Sequence, residues 1–187
     1  MRIVHIILAE TEKKLPAKEM SLLAHRETVR SAARIFGVPE AELRMEKAEG
    51  GKPYFPDHPE VHFSISHSGR HILIALSDVP CGADVEQVKE MPEDRMLSIA
   101  RRIMSGGEYV EFLRAEDRSG AFFTAWVMKE AESKLSGRGF AAGFKTLRGD
   151  APHLAVNAGH GYKAAVFAAE PFKSSVTNIY LKGSFHE

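Results

Sequence analysis

The chain of 187 residues has one cysteine, one tryptophan and no excess of either charge: 25 Lys and Arg stand against 25 Asp and Glu. A single thiol, Cys81, excludes an internal disulfide framework and any zinc site built on several cysteines. The charge balance is local too, with 11 of each sign in residues 1–80 and 14 of each in residues 81–187. Proteins that track a phosphate backbone or an anionic bilayer concentrate Lys and Arg, so the sequence predicts no nucleic-acid partner and no membrane partner. No run approaches the roughly 20 apolar residues needed to cross a bilayer. The opening MRIVHIILAE is broken by His5, closed by Glu10 and followed by no small-residue cleavage site, so it does not read as a signal peptide. The expectation is a cytoplasmic globular protein.

Several chemical signatures are missing as well. There is no G-x-x-x-x-G-K-[ST] phosphate loop, no G-x-S-x-G nucleophile elbow and no H-E-x-x-H zinc helix. The glycines at 137, 139 and 143 come close to a dinucleotide fingerprint, but with one residue too many before the last and after a helix where a strand is required. A helix C-cap followed by a turn accounts for them better.

What is present is core material: 44% hydrophobic residues and 11 Phe, enough for one domain or two small ones. Residues 2–9 are β-branched and apolar and predict a buried strand. Residues 21–36 have helical spacing, with Leu22, Leu23, Val29, Ala33 and Phe36 in one apolar arc and Gly37 as the stop. Gly and Pro crowd residues 48–60 into a loop. Residues 61–68 and 71–78 predict a hairpin turning at Gly69-Arg70. A strand is expected over 81–88, helical sequence over 93–115 with a break at Gly106-Gly107, a helix over 121–136 closed by Gly137, and a final hairpin from residues 153–159 and 162–170. Strand, helix and two strands thus occur twice, with His25-Arg26-Glu27 in the first helix placed much as Met128-Lys129-Glu130 in the second. This predicts an α/β (α+β) protein made of a duplicated unit of roughly ninety residues. The halves are residues 1–80 and 81–187, and a ligand cleft between them is expected.

Three segments could carry chemistry. In Asp84-Val85-Glu86 the two acids share one face of a strand, roughly 6–7 Å apart along the backbone. Such a pair resists double ionisation unless a cation lies between, and oxygen donors without thiols suit a hard ion such as Mg²⁺. Two solvated acids at a strand edge are the plainer alternative. On the helix of residues 121–136, Phe123, Trp126, Glu130 and Lys134 fall within an arc of roughly 80°. Glu130 and Lys134 there are either a surface i,i+4 pair or a third carboxylate with an ammonium one turn away. In Phe63-Ser64-Ile65-Ser66-His67-Ser68, His67 can donate to a phosphate and Ser66 and Ser68 can add hydroxyls; a half-buried strand-end histidine is the alternative.

In order along the chain, GGKPYFPD (50–57), FSISHSGR (63–70), CGADVEQ (81–87), WVMKEAESKLSGRGF (126–140) and GYKAAVFAA (161–169) resemble the Sfp-type 4′-phosphopantetheinyl transferases. The resemblance covers about residues 20–170, and the W-x-x-K-E-x-x-x-K block preceded by G-x-D-x-E is its most specific part. It implies two similar α/β halves with coenzyme A in the cleft between them. It also implies transfer of the phosphopantetheine arm to a serine of an apo acyl or peptidyl carrier protein, with 3′,5′-ADP released. By the same resemblance Asp84, Glu86 and Glu130 would hold Mg²⁺. Lys134 would contact the pyrophosphate, either neutralising charge or protonating the leaving group. Because serine is a poor nucleophile at neutral pH, a base must take its proton, and Glu130 is the natural candidate, acting directly or through a bound water. Ser66 and His67 would bind phosphate, Lys52 and Pro53 would line the adenine pocket, and Arg26 would reach the 3′-phosphate. Ile103-Met104 and Gly106-Gly107 depart from the family's bulkier residues where the carrier protein is met. A monomer is expected. The rival expectations are a catalytically silent coenzyme A or carrier-protein binding module, and a metal-free acyltransferase.

Overall fold

The computed structural model describes residues 1–137 and 150–181. Along the chain it contains β1 (Arg2–Thr11), α1 (Ala17–Phe36), a two-residue ribbon of β2 (Glu46–Lys47) and β3 (Pro53–Tyr54), the hairpin β4 (His62–Ser68) and β5 (His71–Ser77), and β6 (Cys81–Gln87). There follow the helices α2 (Glu93–Ile103), α3 (Gly106–Arg114) and α4 (Arg118–Ser136), and then β7 (His153–Ala155), β8 (Tyr162–Ala168) and β9 (Phe172–Leu181). The mixed α+β class expected from the sequence is the class observed.

Side-chain alternation sets the layers. Val4, Ile6 and Leu8 of β1 meet Leu73 and Ala75 of β5, and this face packs on Ala83 and Val85 of β6 and Ala164 and Val166 of β8. The opposite faces of β1 and β5, with Ile7, Ala9, Ile72, Ile74 and Leu76, pack under α1. On the far side, Ala165 and Phe167 of β8 lie against Val127 and Ala131 of α4. The result is α1, a first sheet, a second sheet and α4 in succession. Strands with both faces covered read as continuous apolar runs, which is why HILIALS of β5 is buried at every position.

The first sheet has the order β4-β5-β1-β9 and the second β6-β8-β7. In both, an antiparallel hairpin places its second strand antiparallel to the strand that precedes the helix: β4-β5 against β1, and β7-β8 against β6. Both expected hairpins are present, and the turn at Gly69 has a positive φ of 60°, which glycine tolerates best.

Four local expectations change. α1 starts at Ala17, after Pro16, and Leu22, expected in its apolar arc, is 55% exposed. The face turned to the sheet instead carries Met20, Leu23, Ala24, Glu27, Thr28, Ser31 and Ala32. The break in the 93–115 stretch falls ahead of Gly106-Gly107, at Met104-Ser105. There the Ser105 hydroxyl accepts from the Glu108 N–H at 3.4 Å while Glu108 accepts from the Ser105 N–H at 2.7 Å, a capping box that starts a new helix. α4 begins at Arg118 because Asp117 caps it, accepting from the Gly120 N–H at 2.8 Å. Finally, β9 was not expected at all. It lies parallel to β1 from Arg2↔Phe172 to Thr11↔Leu181, carrying the end of the second half to the edge of the first sheet. Gly137 ends α4 in the left-handed conformation at φ 68°, as expected of a C-cap; Gly139 and Gly143 lie outside the described residues.

Candidate functional site

β6 turns Cys81, Ala83 and Val85 into the core between the sheets, so Gly82, Asp84 and Glu86 face α4. A methyl group at Gly82 would run into the Ala131 carbonyl and the Leu135 amide of α4. Strand and helix backbones therefore touch at this point, and the acids two and four residues later are brought up to Glu130 and Lys134. This accounts for the glycine in G-x-D-x-E.

Asp84 is 4% exposed. Its Oδ1 accepts from the Lys134 ammonium at 2.7 Å and from the Ser66 hydroxyl at 2.7 Å. Its Oδ2 is buried without a hydrogen-bond partner among the described residues. Glu86 is less buried, and its Oε2 accepts from the Ser68 hydroxyl at 2.6 Å. Glu130 is 8% exposed, and burial together with the negative charge of Asp84, and to a lesser degree Glu86, lifts its carboxyl to about 7 against the partial relief of Lys134. The three acids therefore share one electrostatic neighbourhood, in which Lys134 is a nearby counter-charge.

Among the described residues no three His, Cys, Asp or Glu side chains converge closely enough to enclose an ion. Lys134 occupies one oxygen of Asp84, and Ser68 one oxygen of Glu86. The donor chemistry nonetheless fits a hard divalent cation. All three groups are carboxylates, one buried oxygen lacks a partner among the described residues, and Glu130 is raised by burial and then by the like charge of Asp84, which a cation would offset.

The other expected site residues are placed as follows. Lys52, on the loop that becomes β3, donates to the carbonyls of Cys81 and Lys134, each at 2.8 Å. The second is in the last turn of α4, where a helix leaves carbonyls unpaired and its dipole favours a cation. Burial lowers the pKa of this ammonium. Lys52 and Pro53, with Ser64, Ser133 and Lys134, line a cavity of about 250 Å³ between the loop and α4. Ser66 is nearly buried and directs its proton to Asp84. His67 is on the other face of β4, half-buried; burial first, then the charges of Lys134 and His25, hold its pKa below the ordinary value. Arg26 is exposed on α1, outside the lining of that cavity. The structure brings Asp84, Glu86, Glu130, Lys134 and Ser66 together, with Lys52 and Pro53 adjoining, and leaves His67 and Arg26 outside that group.

Two contributions escaped the sequence reading. Ser64 on β4 accepts from the Ala83 N–H at 2.9 Å, and Ser68 accepts from the Gln87 N–H at 3.1 Å, so the alternate serines of one sheet edge serve the edge of the other. Lys129, within the W-x-x-K-E block, is 4% exposed and pairs with Glu108 of α3 at 2.9 Å. The S-x-x-E signature of residues 105–108 was the available signal for the cap; its tie to Lys129 was not encoded in any spacing.

Comparison with known proteins identifies the family. Residues 80–178 match the family described as the 4′-phosphopantetheinyl transferase superfamily. A 4′-phosphopantetheinyl transferase of Bacillus subtilis is 32% identical over 160 residues, covering 75% of this chain and 70% of that protein. The 4′-phosphopantetheinyl transferase psf-1 of Bacillus pumilus is 38% identical over 115 residues, 60% of this chain and 48% of that protein. The 4′-phosphopantetheinyl transferase AcpT of Salmonella typhimurium is 38% identical over 96 residues, 50% of this chain and 49% of that protein. The match thus spans about half the length of psf-1 and of AcpT.

Proposed function

The chain belongs to the 4′-phosphopantetheinyl transferase superfamily, and from that premise we propose that it moves the 4′-phosphopantetheine arm of coenzyme A to a serine of an apo acyl or peptidyl carrier protein. The serine oxygen forms a bond to the phosphorus that bears pantetheine, the bond from that phosphorus to the bridging oxygen breaks, and 3′,5′-ADP leaves. The observation that carries the reading is the meeting of Asp84 and Glu86 of β6 with Glu130 and Lys134 of α4, where two buried acids and a third carboxylate gather around the Lys134 ammonium.

Asp84, Glu86 and Glu130 are the residues that would hold Mg²⁺. When bound, the ion supplies neutralisation of the pyrophosphate charge. The remaining work falls to the chain. A neutral serine is a weak nucleophile, so its proton must be accepted as the new bond forms. Glu130, buried beside Asp84 and Lys134, is the carboxylate placed to take that proton once a cation offsets the burial and like charge that otherwise raise it. Lys134 already touches the acid cluster and is 31% exposed through its side chain, so its ammonium can meet the pyrophosphate and the developing charge on the leaving oxygen. His67 adds a phosphate donor. Lys52 and Pro53 border the cavity we assign to the adenine end, and Arg26 serves the 3′-phosphate. The halves 1–80 and 81–187 form the two walls of the cleft. One chain supplies every group named, which supports a monomer.

The test is incubation with coenzyme A, Mg²⁺ and a panel of apo carrier proteins, followed by mass spectrometry of the carriers. A mass increase located on a carrier serine is expected. No increase with any carrier sinks the transferase reading, and tight coenzyme A binding without transfer would identify a silent binding module.

A further inference from the structure

We infer that Ser68 is a positioning residue for the acid pair, fixing the Glu86 carboxylate in the orientation from which it can hold a cation. This rests on the assignment of Asp84, Glu86 and Glu130 as cation ligands.

A hydroxyl has one proton and can accept as well as donate. The Gln87 main-chain N–H can only donate, and it points to Ser68 Oγ at 3.1 Å. Ser68 Oγ lies 2.6 Å from Glu86 Oε2, and an ionised carboxylate can only accept. The direction of both bonds is therefore determined: the hydroxyl accepts from Gln87 and gives its proton to Glu86. Ser68 is 8% exposed, so water competes little for either bond. The main chain of β6 in this way holds a side chain of β4, which in turn holds a side chain of β6.

The effect on Glu86 is directional. Glu86 is less enclosed than Asp84 and stands at the end of the strand, where a glutamate has three side-chain torsions to lose on binding. With Oε2 held by Ser68, those torsions are restricted before a cation arrives. Ser66 does the same for Asp84 from two residues earlier on the same face of β4, at 2.7 Å. The Ser68 hydroxyl, with its proton committed to the carboxylate, is not disposed to donate to a substrate phosphate.

The experiment uses the full chain without coenzyme A and follows Mn²⁺ binding by electron paramagnetic resonance, with folding checked by circular dichroism. Ser68→Ala should weaken Mn²⁺ binding roughly tenfold, the usual scale for a group that orients a metal ligand. Ser68→Thr, which keeps the hydroxyl, should restore most of that affinity. Should the alanine variant lose structure, Ser68→Cys keeps the volume with a weaker donor and should bind Mn²⁺ more weakly than wild type. Coenzyme A affinity in EDTA should be the same for wild type and Ser68→Thr. Wild-type Mn²⁺ affinity in a folded Ser68→Ala or Ser68→Cys overturns the inference, as does a threonine variant no better than alanine. Asp84→Asn separates the two levels. If it too binds Mn²⁺ like wild type, the cation assignment itself fails, whereas loss there with no effect at Ser68 refutes only the role of Ser68.

Discussion

The two long helices each bury a glutamate against their own sheet, and the two glutamates keep different company. Glu27 of α1 is 5% exposed, accepts from the Ser31 hydroxyl at 3.3 Å and has Arg30 at 3.9 Å. Glu130 of α4 is 8% exposed and faces Asp84 and Glu86, with Lys134 beside them. Both helices close on a left-handed glycine, Gly37 and Gly137. The scaffold is alike; the neighbours differ. A buried acid beside a hydroxyl and an arginine is a packed structural group, whereas a buried acid beside two carboxylates is an unresolved charge that a ligand can resolve.

The comparison breaks hardest at the acid cluster. Asp84→Ala should lower transfer by about a hundredfold or more, the loss expected when charge neutralisation worth several kcal/mol disappears, while its thermal midpoint stays within a few degrees of wild type. EDTA should impose the same loss on the wild type, reversed by Mg²⁺. Turnover that survives both treatments would end the metal assignment.

Protonation of Glu130 is the next largest effect. Its folded carboxyl sits at about 7 against an ordinary 4.5. Between those values the unfolded chain has released the proton and the folded chain still holds it. Metal-free protein should therefore be most stable below pH 4.5 with respect to this group and lose about 3 kcal/mol as pH rises from 4.5 through 7. Urea unfolding in EDTA across this range measures the slope. Glu130→Gln should flatten it, and Mg²⁺ at pH 7.5 should restore stability to the wild type. An unchanged slope in the glutamine variant would remove Glu130 as its source.

Smaller effects are expected away from the acids. Lys52→Met leaves the Cys81 and Lys134 carbonyls without the ammonium and should cost about 1–2 kcal/mol in urea unfolding. The mildest is Glu27→Gln, at about 1 kcal/mol or less and with transfer unchanged. A loss of transfer matching that of Glu130→Gln would show that the two glutamates are not the contrasting pair described here.

Much of this was legible in order along the chain. The alternation in residues 61–68, the continuous apolar run that opens 71–78, the D-x-E pair and the W-x-x-K-E-x-x-x-K helix are local patterns, and they reappear as β4, β5, β6 and α4. β9 was not legible. Its residues are mostly exposed, so they carry little apolar contrast, and the strand is fixed by main-chain pairing with β1, more than 160 residues away in sequence. The serine seam escaped for a related reason. Ser64, Ser66 and Ser68 read as a hydroxyl face, but their partners lie on another sheet.

By itself the sequence determined which residues could share a face, because backbone geometry repeats every two or every 3.6 residues regardless of context. It also determined the net balance of 25 charges of each sign. Only the tertiary structure decided which faces meet. The close approach at Gly82 put Asp84, Glu86, Glu130 and Lys134 together, and burial there gave Glu130 its raised pKa and left Asp84 Oδ2 without a partner among the described residues. Charge that cancels over the whole chain need not cancel within a few ångströms, since the interaction grows as distance and dielectric fall. Distance and dielectric are properties of the folded protein.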